Sequence, residues 1–144
     1  MIVTVDRIEP ARRGELLTLL ATAWWAAHRS AASLDRMLDH SDAVVGLVDT
    51  SSDRLVGFAR AITDRTFLAV VMDVVVDPTY RGQGLGERLV DDLLARPELS
   101  GVDSVELVCQ PELVPFYRRL GFTDDVGRSL LMRRTENTLL APRA

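Results

Sequence analysis

The stretch from Phe67 to Leu94 admits few folds: an apolar run rich in valine (FLAVVMDVVVD), an Asp-Pro turn, an arginine followed by alternate glycines (RGQGLG), then ERLVDDLL. A run so apolar predicts a strand inside a sheet, covered on both faces. Residues 84–95 predict a helix, with Leu85, Leu89, Val90, Leu93 and Leu94 on its buried side and Pro97 stopping it. A helix start leaves backbone N–H groups without intrahelical partners and presents the positive end of the helix dipole. Glycine at 82, 84 and 86 removes side chains that would keep a ligand away from such groups. The amides of Gly82, Gln83, Gly84, Leu85, Gly86 and Glu87, with Arg81 beside them, form a candidate phosphate cradle. A tight strand-to-helix turn would ask for glycine as well.

Two familiar phosphate loops do not fit. The P-loop needs a lysine after its second glycine, and all 17 basic residues of this chain are arginine. The dinucleotide fingerprint G-x-G-x-x-G fails, because Glu87 and Leu89 stand three residues after Gly84 and Gly86.

Around this stretch the elements fall in the order β-α-α-β-β-β-α-β-α-β. MIVTVDRI is a first strand, and a helix over 11–29 follows, with Leu16, Leu19, Leu20, Ala23 and Trp24 on one side. Ser33 caps a short second helix, LDRMLDH. AVVGLVD and LVGFARAIT form a hairpin around TSSDR, and VDSVELVC follows the glycine-loop helix as a crossover strand. PELVPFYRRLG is a short helix capped by Gly121, and RSLLMRR reads as a last strand. Early hairpins with one late strand–helix–strand crossover define an α+β fold with a mixed, mostly antiparallel sheet. Residues 1–134 read as one domain and 135–144 as a tail.

The composition bounds the partners. With 144 residues, 47% hydrophobic and 26% charged, the chain suits a single soluble globular domain. A net charge of −4 argues against a nucleic-acid partner and is compatible with a cationic small substrate. A single cysteine, Cys109, excludes an intrachain disulfide and suits a reducing compartment. No apolar h-region follows a basic start, and no run approaches the roughly 18 residues that span a bilayer, so a cytoplasmic protein without membrane contact is expected. Two isolated histidines and one cysteine do not build a ligand cluster, so no metal is expected.

VVVDPTYRGQGLGERLV resembles the acyl-CoA signature of the GNAT superfamily of N-acyltransferases, [Q/R]-x-x-G-x-[G/A], with Arg81, Gly84 and Gly86 at its fixed positions. PFYRRLGF, 115–122, is similar to the family's F-Y-x-x-x-G-F segment. The likeness covers residues 42–134 well and the N-terminal third only by element order. It implies a splayed central strand pair flanked by helices, acetyl-CoA as cosubstrate, and transfer of an acetyl group to a primary amine by direct attack in a ternary complex. It also leaves room for a non-catalytic acyl-CoA-binding or regulatory module. Family members are often dimers, so a homodimer is possible; the acceptor is a small-molecule or peptide amine.

The resemblance assigns roles residue by residue. Val74, Val75 and Val76 match the strand whose backbone pairs with the pantetheine arm, and the loop 81–87 would hold the diphosphate. Gln110 and Phe116 are weaker coenzyme contacts. Tyr117 stands where relatives place the acid that protonates the departing thiolate; its other reading is an aromatic packed in the last helix. Many relatives have a glutamate base just before the strand's Asp, and that position is Met72 here. Asp73 remains, either as a proton acceptor, directly or through water, or as a carboxylate that orders the splay. Cys109 could carry an acyl group or fill space as a small hydrophobe. Trp24, Trp25 and His28, in the helical pair that forms the acceptor side, and Arg60, on the hairpin, are candidate substrate contacts.

Overall fold

The computed structural model describes residues 1–142. The chain divides into two compact units, Met1–Cys109 and Gln110–Ala144. The sequence reading sets its only boundary at 134/135, and residues 143 and 144 of the expected tail lie outside the described residues.

The first unit is built on a five-stranded sheet in the order β1-β2-β3-β4-β5. Its strands are β1 (Ile2–Val5), β2 (Ala43–Asp49), β3 (Arg54–Thr63), β4 (Leu68–Val76) and β5 (Ser104–Leu107). The first four are antiparallel neighbours, and β5 joins β4 in parallel. Helices α1 (Arg13–Leu20) and α2 (Ala31–Asp39) follow β1, and α3 (Leu85–Leu94) makes the crossover between β4 and β5.

Each face of the sheet carries its own core. Leu85, Leu89 and Leu93 of α3 pack on Val45, Leu47, Val56, Ala59 and Val71. On the other face, Leu16, Leu19 and Leu20 of α1 and Leu34 of α2 pack on Val48, Leu55, Phe58 and Val75. The central strands are apolar for this reason: both of their faces are covered.

Three expectations are corrected. The helix expected over 11–29 stops at Leu20, where the Thr22 hydroxyl donates to the Leu19 carbonyl at 2.7 Å and Ala23 turns extended. A 3-10 turn, Trp24–Ala26, then rotates Trp25 toward the core and leaves Trp24 55% exposed. The cap of α2 is Ser30 and not Ser33: Ser30 Oγ accepts the Ser33 N–H at 3.1 Å, and Ser33 Oγ accepts the Ser30 N–H at 3.0 Å. This reciprocal pair satisfies two donors at the helix start.

The second unit holds α4 (Val114–Arg119), which closes in a Schellman motif. Gly121 takes a φ of 94°, its N–H donates to Arg118, and the Phe122 N–H donates to the Tyr117 carbonyl at 3.1 Å. The strand expected from RSLLMRR is not formed; Leu130 is 89% and Met132 91% exposed. Apolar residues in sequence become a strand only when a neighbouring edge pairs with them. Among the described residues, no helix is long and apolar enough to cross a membrane.

Candidate active site

Two departures from regular sheet geometry meet in β4. The first is a bulge. Phe58 of β3 faces Val75 and Arg60 faces Met72, so Asp73 and Val74 together stand opposite Ala59. Asp73 takes a φ of 56°, a left-handed conformation that aspartate tolerates better than most residues. Val71 faces the α3 core, and strict alternation would send Asp73 the same way. The extra residue re-aims it to the opposite face, where α1 and α2 pack.

Two arginines wait there. Arg29 Nη1 and Nη2 donate to Asp73 Oδ2 and Oδ1 at 2.6 and 2.9 Å, a bidentate fork. Arg60 Nε donates to Oδ2 at 2.6 Å, and its Nη1 lies 3.4 Å from Ser41 Oγ. The Arg29 guanidinium also stands 5.8 Å from the Trp25 ring centroid, and its Nη1 is 3.5 Å from Met37 Sδ of α2. Side-chain exposure is 4% for Asp73, 9% for Arg60 and 27% for Arg29. Burial by itself would raise the Asp73 carboxyl; the Arg29 hydrogen bonds and the charges of both guanidiniums outweigh it and hold the group below the ordinary carboxylate value.

The second departure is a splay. β5 pairs with β4 only from Leu68 to Val71, and β4 continues alone on that side to Val76. The Asp77 N–H donates to the Val56 carbonyl of β3 at 2.8 Å. By strand alternation, the N–H groups of Val76 and Val74 point the other way, to the edge that β5 has left. Valine side chains pack against the α3 core without competing for those amides.

The glycine loop starts beside this edge. Asp77 Oδ1 accepts the Thr79 N–H at 2.9 Å and its hydroxyl at 2.8 Å, while Oδ2 takes Arg54 Nη2 at 2.8 Å. The Tyr80 hydroxyl donates to Asp49 at 2.5 Å, which ties the turn back to β2. Gly84 is the N-cap of α3 with a φ of 76°, and no atom lies within 4 Å of where its Cβ would stand. The first intrahelical bond of the helix runs from Arg88 to Gly84, so the amides of Leu85, Gly86 and Glu87 have no partner in the preceding turn. Arg81, Gly82, Gln83 and Gly84 are exposed. Open space, bare backbone and a helix start suit an approaching diphosphate.

The first unit therefore brings Asp73 together with Arg60 and Trp25 through Arg29. Arg60, a candidate substrate contact on the hairpin, is buried under the bulge against the Asp73 carboxylate. His28 is exposed, and Cys109 is half-buried just past β5. Gln110, Phe116 and Tyr117 belong to the second unit. There the Tyr117 ring is buried, edge-on to Phe116 at 4.9 Å and to Phe122 at 5.9 Å. A cavity of about 300 Å³, lined by Asp6, Arg13, Ser41 and Arg96 among others, contains none of the candidate site residues expected from the sequence and meets the Asp73 cluster only at Ser41.

Sequence reasoning missed Arg29, Ser41 and the capping role of Asp77. An acid in an apolar strand signals a buried cationic partner, but nothing along the chain says which of the 17 arginines supplies it.

A mixed sheet with a bulged, splayed β4 running into a glycine-rich helix start defines a known structural class. An acetyltransferase from Trypanosoma brucei superposes with a TM-score of 0.76 at 27% identity, over 94% of this chain and 99% of that one. A Xanthomonas campestris protein assigned to the GNAT family superposes with a TM-score of 0.79 at 28% identity, over 98% of both chains. The acetyltransferase (GNAT) domain profile matches residues 13–133, and the chain belongs to that family.

Among its relatives, the chloroplastic serotonin N-acetyltransferase 2 of Oryza sativa is 45% identical over 100 residues, 67% of this chain and 50% of that one. The chloroplastic GCN5-related N-acetyltransferase 1 of Arabidopsis thaliana is 36% identical over 97 residues, 67% of this chain and 49% of that one. The chain spans about half the length of the curated relatives it matches.

Proposed function

We propose that this chain is an acetyl-CoA-dependent N-acetyltransferase that transfers an acetyl group directly to a primary amine in a ternary complex. The observation that carries the reading is the edge of β4 that β5 leaves after Val71, next to the bare start of α3. Acetyl-CoA, when bound, supplies an acetyl thioester for attack. The residues present fit it: the β4 edge offers donors to the pantetheine arm, and the amides of 82–87 with Arg81 offer a diphosphate cradle.

Each residue then has a defined task. The β4 amides polarise the thioester carbonyl and stabilise the negative charge that develops on its oxygen. Tyr117 gives its proton to the departing thiolate; from a phenol near pKa 10 to a thiol near 8.5 this is uphill by about 2 kcal/mol, which site geometry can offset. Of the two roles offered for Asp73 the structural one fits, with its partners at the bulge and not at the splay, and guanidiniums in place of backbone amides. Both of its oxygens are taken by guanidiniums and its proton affinity is lowered, which makes it a weak base. Removal of the amine proton falls to water or to the acceptor's own neutral fraction.

Thermal unfolding with acetyl-CoA, against ATP and NAD, tests the coenzyme half. At a hundredfold excess over Kd a ligand adds about 2.7 kcal/mol, which raises the midpoint by roughly 5–10 °C for a domain of this size. A shift with acetyl-CoA alone supports the reading; no shift, or an equal one with ATP, reduces the loop to a general anion site. Release of free thiol on adding amines tests transfer.

A further inference from the structure

The cluster under the bulge is not neutral. Among the described residues, the ion pairs of both Arg29 and Arg60 go to the one carboxylate of Asp73. The neighbouring acid, Asp42, is committed elsewhere, its Oδ2 accepting the Thr63 N–H at 2.8 Å. Two guanidiniums on one carboxylate leave a surplus positive charge, with Arg29 the more exposed of the two. Donors are also in surplus. Of the many N–H groups on two guanidiniums, three make short bonds to Asp73, and among the described residues the further contacts are a long one to Ser41 Oγ and one to Met37 Sδ. The Arg29 guanidinium lies near the Trp25 ring and Met37 Sδ while it forks onto Asp73, contacts that pre-organise the fork. Its 27% exposure gives a ligand access to it.

Position gives this surplus a meaning. Asp73 directly precedes Val74, whose amide faces the edge where the thioester is proposed to lie, and consecutive Cα atoms are only about 3.8 Å apart. We propose that Arg29, with Arg60 behind it, recognises an anionic group on the acceptor, so that the substrates are small amines carrying a carboxylate or phosphate a few bonds from the nitrogen. This rests on the acetyltransferase reading and narrows its substrate class. It runs against the net charge of the whole chain, which by itself would favour cationic amines.

The test compares matched acceptors by thiol release from acetyl-CoA: lysine against cadaverine, tryptophan against tryptamine, and phosphoethanolamine against ethanolamine. The first two pairs report a carboxylate and the third a phosphate. The expected result is a preference in kcat/KM of about tenfold or more for the anionic member of at least one pair, carried mainly by KM. Arg29→Gln should bring that ratio to about one, and Arg29→Lys, which keeps charge without the fork, should retain part of it. The acetyl-CoA midpoint shift of each variant reports that it is folded, and if Arg29→Gln does not fold the Lys variant decides. Equal rates within every pair, or a preference that survives loss of Arg29, overturn this inference while leaving the acetyltransferase reading intact. An absence of thiol release with every amine overturns both.

Discussion

Asp73 combines three features that rarely coincide: a left-handed backbone, near-complete burial and two arginine partners. The conformational cost of the positive φ is about 1–2 kcal/mol, and the ion pairs offset it. Asp73→Asn should remove the charge that balances the buried Arg60 and the part-buried Arg29, and cost about 3 kcal/mol in urea unfolding. The pH dependence has a definite sign. Because its folded pKa is lowered, Asp73 contributes its full stability above the unfolded value near about 3.9 and loses it as pH falls through the lowered folded value. The Asn variant should therefore show a flatter acid limb than the parent; parallel limbs would mean that other carboxylates set the acid transition.

Among the elements, the helix starts and stops do the chemical positioning. Gly84 caps α3 with a φ of 76° and open space where a Cβ would stand, so Gly84→Ala has a backbone cost and no clash. A loss of about 1–2 kcal/mol in stability is expected, together with weaker acetyl-CoA binding by calorimetry; full affinity in a destabilised variant would take the cap out of the coenzyme site. At α4 the Schellman closure explains why phenylalanine, tyrosine, glycine and phenylalanine recur at fixed spacing in FYRRLGF. Gly121 permits the turn, Phe122 packs on Tyr117, and the Tyr117 carbonyl accepts the Phe122 N–H. Tyr117→Phe keeps all of this and removes only the hydroxyl. Turnover should fall about 100-fold or more, as for loss of a general acid, while the acetyl-CoA midpoint shift persists. Loss of both together would make the tyrosine a packing residue.

At the scale of the whole molecule, the sheet separates two cores that each anchor part of the site. The α3 core holds the glycine loop against β4, and the α1–α2 core carries Arg29 to the bulge. Leu89 and Leu16 are fully buried on opposite faces. Each Leu→Ala change should cost about 2–5 kcal/mol, and the double variant should come within about 0.5 kcal/mol of the sum. Strong non-additivity in denaturant unfolding would show that the sheet transmits strain between its faces. The two single variants should differ in function, with Leu89→Ala weakening acetyl-CoA binding and Leu16→Ala raising KM for the amine.

The valine-rich strand, the glycine loop and the helix behind it were legible in the sequence because their causes are local. A valine-rich strand, an Asp-Pro turn, glycines at 82, 84 and 86 and an amphipathic helix act over a few neighbouring residues, so their order along the chain already specifies an interior strand running into an open helix start. The element order as far as α4 and the mixed sheet followed from the same periodicities, while the last expected strand did not form. The cluster around Asp73 was not legible, because its causes are non-local. Arg29 and Asp73 are 44 residues apart in the chain, and their meeting depends on a bulge that turns Asp73 across the sheet and on a break after Leu20 that redirects the chain before α2. A one-residue shift in strand pairing moves a side chain from one face to the other. Composition and spacing determined the interior strand, the glycine loop and the helix behind it; only the tertiary structure decided which face of β4 the carboxylate serves and which arginines hold it there.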